Sequence, residues 1–119
     1  MPREPRSAAR ARRLVRLALD VWGLDDLADD GALIVSELVS NAVQHARRQS
    51  IRVGVDRRGA ARVCVGVVDF SRVPPTHRAP MGEHGRGLLL VATLAGSWGT
   101  EPLPWGKRVW AELHREGRG

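Results

Sequence analysis

Apolar and polar residues follow two different periods along this chain, and the switch between them divides it. From Ala8 to Trp22 the period is helical. Leu14, Leu17, Ala18, Val21 and Trp22 share one stripe, with Arg10, Arg12, Arg13 and Arg16 on the other face. Ser7 is placed to cap this helix and Gly23 to end it. Met1 to Arg6, with two prolines and no period, read as a short extended lead-in. Asp25 to Asp30 form an acidic stretch that suits the positive end of a helix. Helical spacing resumes from about Ala28 to Ala46 through Leu33, Ile34, Val35, Leu38, Val39, Ala42, Val43 and Ala46. This second helix is apolar around much of its circumference, which predicts a central position.

The period then drops to two. Ile51, Val53 and Val55 alternate with Arg52, Gly54 and Asp56, a strand pattern. Arg57 to Ala60 supply a turn, and the valine-rich Arg62 to Asp69 complete an antiparallel hairpin. Phe70 to Gly85 hold three prolines, two glycines and two histidines without an apolar period, and read as a loop. Gly87 to Ala95 return to helix. Trp98 to Leu103 and Lys107 to His114 then predict a last hairpin, closed around Pro104, Trp105 and Gly106. Trp98 and Trp110 are expected to pack on the sheet, and Trp105 to be exposed. This order predicts an α+β fold, a two-layer sandwich of about three helices on one face of a mixed, largely antiparallel sheet.

Composition narrows the class. The 119 residues fit one domain, spanning 1–119, and 43% hydrophobic with 27% charged residues reads as globular. A single cysteine excludes an internal disulfide and a multi-cysteine zinc site, and Cys64, between valines, reads as packing. No apolar run approaches the roughly 20 residues of a membrane span, and Arg16 interrupts the stretch that would imitate a signal peptide. The expectation is a soluble, cytoplasmic protein with no membrane partner. Nineteen basic against thirteen acidic side chains leave a charge of +6, which suits an anionic partner without naming one. Eighteen of the nineteen are arginine, a bias that base composition alone can produce.

Three constellations could carry chemistry. Glu37, Asn41 and His45 are each four residues apart and form a polar line on the second helix. An amide oxygen suits a magnesium ion that keeps most of its waters, and a carboxylate one turn away can deprotonate a hydroxyl. The same line also fits a solvated helix face. Asp69 ends an apolar strand, where an acceptor-only carboxylate could take the exocyclic amine of adenine and reject the carbonyl of guanine. It could equally cap the following turn. Gly85-Arg86-Gly87-Leu88 runs into a helix, where backbone N–H groups and Arg86 could meet phosphates, or where the glycines simply make a turn. It is not a P-loop, since no Gly-Lys-Ser/Thr follows.

In that order the three segments resemble the N box and the two glycine boxes of the GHKL superfamily (gyrase, heat-shock chaperone, histidine kinase, MutL). The nearest likeness is to its stand-alone branch, the anti-sigma-factor serine kinases and related ATP-binding regulators. It runs from Ala9 to Leu113 and is most specific over Leu33-Ile-Val-Ser-Glu-Leu-Val-Ser-Asn-Ala-Val-Gln-His-Ala46. Gly85-Arg-Gly-Leu-Leu-Leu-Val91, Trp98-Gly99 and Gly106-Lys-Arg-Val-Trp-Ala-Glu-Leu113 support it.

The resemblance implies the Bergerat ATP-binding fold, with ATP and Mg2+ as cofactors. It implies Glu37 as general base, Asn41 as the magnesium ligand and Asp69 as the adenine reader. His45, Ser71, Gly85, Arg86, Gly87 and Leu88 join them around the nucleotide, under a lid at 72–84. The implied partners are a sigma factor and a STAS-type anti-anti-sigma protein that accepts phosphate on a serine. Ser71 stands where the superfamily often has glycine. The short lead-in replaces an edge strand that helps some relatives dimerise, so a homodimer stays open. No sensor or phosphoacceptor segment is expected, which makes His45, His77, His84 and His114 poor phosphohistidines. Two other readings remain: a nucleotide-gated binding module with little transfer, and a basic nucleic-acid-binding protein. The second lacks a zinc finger, a helix-turn-helix reader or interleaved aromatics.

Overall fold

The structure, a computed structural model, describes residues 6–45, 51–69, 90–104 and 106–115. Helix α1 spans Arg6–Val21, a single turn of 3-10 helix Asp25–Leu27 follows, and helix α2 spans Ala28–His45. The strands are β1 (Ile51–Gly59), β2 (Arg62–Asp69), β3 (Ser97–Leu103) and β4 (Gly106–His114). Residues 90–94 are helical between β2 and β3. Of the expected segments, residues 1–5, the lid at 72–84 and Trp105 lie outside the described residues.

The sheet order is β1-β2-β4-β3. All three pairings are antiparallel, β1 with β2, β2 with β4 and β3 with β4, so the described sheet is more uniform than a mixed one. Both hairpins appear where the alternation predicts them. Joining them through β2 and β4 puts the two most apolar strands at the centre. There Val63, Val65 and Val67 of β2 stand opposite Leu113, Ala111 and Val109 of β4. All six are buried and belong to one core with Ile34, Val35, Leu38, Val39 and Ala42 of α2. The helix therefore lies on one face of the sheet, against β2, and packs beside α1, which also touches β1; this is the central position its apolar circumference predicts.

The stripe that α1 buries is not the one the leucines suggest. Ala11, Val15 and Leu19 are fully buried, at i, i+4 and i+8, while Leu14, Leu17 and Val21 are exposed. The reason lies in the chain beyond the helix. Gly23 takes a left-handed φ of +73°, Leu24 N–H donates to Leu19 C=O at 2.7 Å, and Gly23 N–H donates to Asp20 C=O at 3.1 Å. This C-terminal motif pairs Leu24 with Leu19 and turns that side inward. Arginines lock the choice. Arg12 donates to the Ser36 hydroxyl at 3.1 Å and Arg16 pairs with Asp29 at 2.9 Å, so the predicted arginine face is split. Arg10 and Arg13 remain exposed. Ser7 lies inside the first turn of α1 and is buried, since the helix starts at Arg6. It therefore does not precede the helix as a cap, and Arg6 belongs to the helix rather than to the lead-in.

The helix-free face of the sheet carries Trp110, flat against Gly99, where an added Cβ would come within 3.1 Å of the ring. Trp98 sits on the opposite face at edge strand β3 and is partly exposed. Cys64 is a buried free thiol, as packing predicts, and accepts a hydrogen bond from Arg108 at 3.6 Å. No helix among the described residues is long and apolar enough to cross a membrane.

Candidate functional site

Asp69 is the last residue of β2, the inner strand that packs against α2, with Ile51 of β1 opposite it on one side and Lys107 of β4 on the other. Its parity matches Val63, Val65 and Val67, so its carboxylate enters the layer between sheet and helices. There the side chain is only 2% exposed, and Lys107 Nζ lies 2.8 Å from its Oδ2. Lys107 itself is 16% exposed. An ionised carboxylate held this deep requires donors, and the ammonium supplies one of them.

Glu37 and Asn41 follow one another by one turn on α2, and both are half-buried, whereas Ser40 beside them is exposed. They therefore do not form a solvent-facing stripe. The start of α2 is fixed by Gly31, where an added Cβ would sit 3.5 Å from Leu113, the residue paired with Val63 at the start of β2. From that anchor α2 continues past Glu37 and Asn41, packed against β2, the strand that ends in Asp69. His45 closes α2, and its side chain is outside the described set. So are Ser71, Gly85, Arg86, Gly87 and Leu88, together with the proposed phosphate loop they form. Among the described residues no three His, Cys, Asp or Glu side chains gather as a metal cluster. A magnesium ion held by one amide oxygen and its own waters needs no such cluster.

A family model described as a histidine kinase-like ATPase domain matches residues 1–111. The chain belongs to this family. Histidine kinase-like ATPase domains are of the GHKL type, which binds ATP, generally with Mg2+. The described residues set a buried carboxylate at the end of β2 and two half-buried oxygen-bearing side chains on α2, the helix packed against that strand. No curated protein matches the chain.

The residue that sequence reasoning missed in this ATPase domain is Lys107. Its signal was present, in the alternation Lys107, Val109, Ala111, Leu113 that sets a charge in line with core positions. Read alone, it looks like the frayed start of a strand. Only the register that pairs β4 with β2, and not merely with β3, brings it to Asp69.

Proposed function

We propose that this ATPase domain is a cytoplasmic regulatory serine kinase of anti-sigma-factor type. In this reading it transfers the γ-phosphoryl group of ATP to a serine on a STAS-type partner and otherwise grips a sigma factor. The observation that carries the reading is the buried Asp69 carboxylate at the end of β2, the strand that packs against α2 with its half-buried Glu37 and Asn41. Asp69 accepts the adenine amine, Asn41 holds the magnesium ion, and Glu37 takes the proton of the attacking serine hydroxyl. Magnesium neutralises charge on the phosphates when bound. Gly85, Arg86, Gly87 and Leu88 would cradle the phosphates, with His45 and Ser71 at the margins.

A protein partner also has a surface to meet. Leu14, Leu17 and Val21 follow i, i+3, i+7 on the outer side of α1, the spacing at which one helix packs against another. Exposed Arg10 and Arg13 beside them suit an acidic partner segment. The test is incubation with ATP, Mg2+ and a candidate STAS-type protein, followed by mass spectrometry of its serines. Phosphorylation by wild type and its loss in Glu37→Gln supports the kinase. Nucleotide-dependent partner binding without transfer, unchanged in Glu37→Gln, supports a gated binding module instead.

A further inference from the structure

We infer that the outer edge of β1 pairs antiparallel with the β1 edge of a second copy of this chain, about a two-fold axis at Gly54, joining two sheets into one. The inference goes beyond the proposed kinase and does not depend on nucleotide binding.

β1 pairs on one side with β2, and among the described residues no strand pairs with its other side. The backbone groups of such an edge are a template for a further strand, which natural sheets blunt with proline, lysine or a bulge. The two edges of this sheet differ in that respect. β3 carries Pro102, which has no N–H to give. β1 has neither proline nor lysine. Its register against β2 is regular from Ile51 to Arg57, and the bulge comes only between Arg57 and Gly59. There Arg57 turns back and donates to the Gly59 and Ala60 carbonyls at 3.1 and 3.2 Å. Gly54 is the midpoint of the regular run.

Pairing about that midpoint is self-complementary on both faces of the strand. Arg52, Gly54 and Asp56 are exposed on the helix-free face, opposite Val68, Gly66 and Cys64 of β2. Each Arg52 then stands directly opposite Asp56 of the other copy, twice across the axis. On the core face Val53 stands opposite Val55 of the other copy, again twice. Both valines are half-buried at the margin of the core, so the second strand extends their cover. Neighbouring symmetric registers set like charges together. Centred on Val55, Arg52 faces Arg58; centred on Asp56, that carboxylate faces its own counterpart. Within one copy Asp56 meets Arg58 only at 3.9 Å and in water, a weak competitor. Gly54 itself has no steric reason in the fold, since an added Cβ would meet nothing within 4 Å. Glycine weakens a strand interior, and close approach of another backbone is one use for it.

The experiment is sedimentation velocity of the full chain over a concentration series without nucleotide. It compares wild type, Arg52→Asp, Asp56→Arg and the double variant. The expected result is a monomer–dimer equilibrium that either single reversal weakens by at least about tenfold, because like charges then oppose one another. The double variant should restore it to within about threefold. A second readout fixes the register and does not rely on those variants. Gly54→Cys should form an intermolecular disulfide on mild oxidation, since the two thiols face each other across the axis. Asp56→Cys should not, because its two copies are offset by about 13 Å along the strands. The native thiol, Cys64, is buried, so wild type is the control. Wild type that stays monomeric up to about 1 mM overturns the inference. So does a dimer that both single reversals leave unchanged, or one in which Gly54→Cys cross-links no faster than Asp56→Cys.

Discussion

Leu17 and Leu19 are two positions apart on α1 and lie on opposite sides of it: Leu17 is 63% exposed and Leu19 fully buried. Their contributions to stability should differ accordingly. Leu19→Ala should cost about 2–5 kcal/mol through lost burial and the cavity it leaves. Leu17→Ala should stay within about 0.5 kcal/mol. Urea unfolding of the two variants checks this, and equal losses would mean that α1 is rotated from the orientation described.

Gly31 offers a second comparison. Alanine in place of a helical glycine ordinarily gains up to about 1 kcal/mol of helix propensity. At this position an added Cβ would lie 3.0 Å from Val15 Cγ1 and 3.1 Å from Leu19 Cδ1. Both neighbours are fully buried and cannot swing into solvent. Overpacking, typically about 1–3 kcal/mol, should win. Gly31→Ala is therefore expected to be net destabilising, and a raised midpoint of thermal unfolding would show that α1 and α2 can separate slightly without cost.

The last described residue ties the sheet to the helical layer. Arg115 donates to both carboxylate oxygens of Asp26, at 2.6 and 2.8 Å, and to Gly23 C=O at 3.1 Å. Hydrogen bonding from Arg115 holds the Asp26 carboxyl below the usual carboxylate range. A carboxyl whose folded pKa is depressed contributes stability above its unfolded pKa and loses it as pH falls through the folded one. The pair is solvent-accessible, so its effect should be modest and reduced by salt. Unfolding followed from pH 7 down to about 2 should show wild type losing more stability than Asp26→Asn across the carboxylate range. Superimposable profiles would mean the contact is not maintained in solution.

Much of the fold is legible in the sequence because the apolar period there is strong. The alternation at Ile51, Val53 and Val55 and the long apolar run of α2 leave few alternatives. The misreading of α1 has a physical origin. Leu14, Leu17 and Val21 are spaced as well as Ala11, Val15 and Leu19, and a leucine in place of Ala11 makes the first set the larger. The deciding interactions, Leu24 to Leu19 and Arg12 to Ser36, come from residues beyond the helix. Site legibility divides in the same way. The candidates Glu37, Asn41 and Asp69 rest on patterns local to one helix and one strand. Lys107 depends on the pairing of β2 with β4, residues 38 positions apart at that point, which no local pattern encodes.

The central claim is that Asp69 forms the base-reading floor of a nucleotide site. Calorimetric titration of ATP with Mg2+ into the wild-type chain and into Asp69→Ala tests it most directly, with circular dichroism to confirm that the variant is folded. The account predicts binding by wild type and a loss of about ten- to a hundredfold in the variant, the scale of one hydrogen bond to a charged group. Well-folded wild type that binds no ATP, or a folded Asp69→Ala that binds as tightly as wild type, would contradict it.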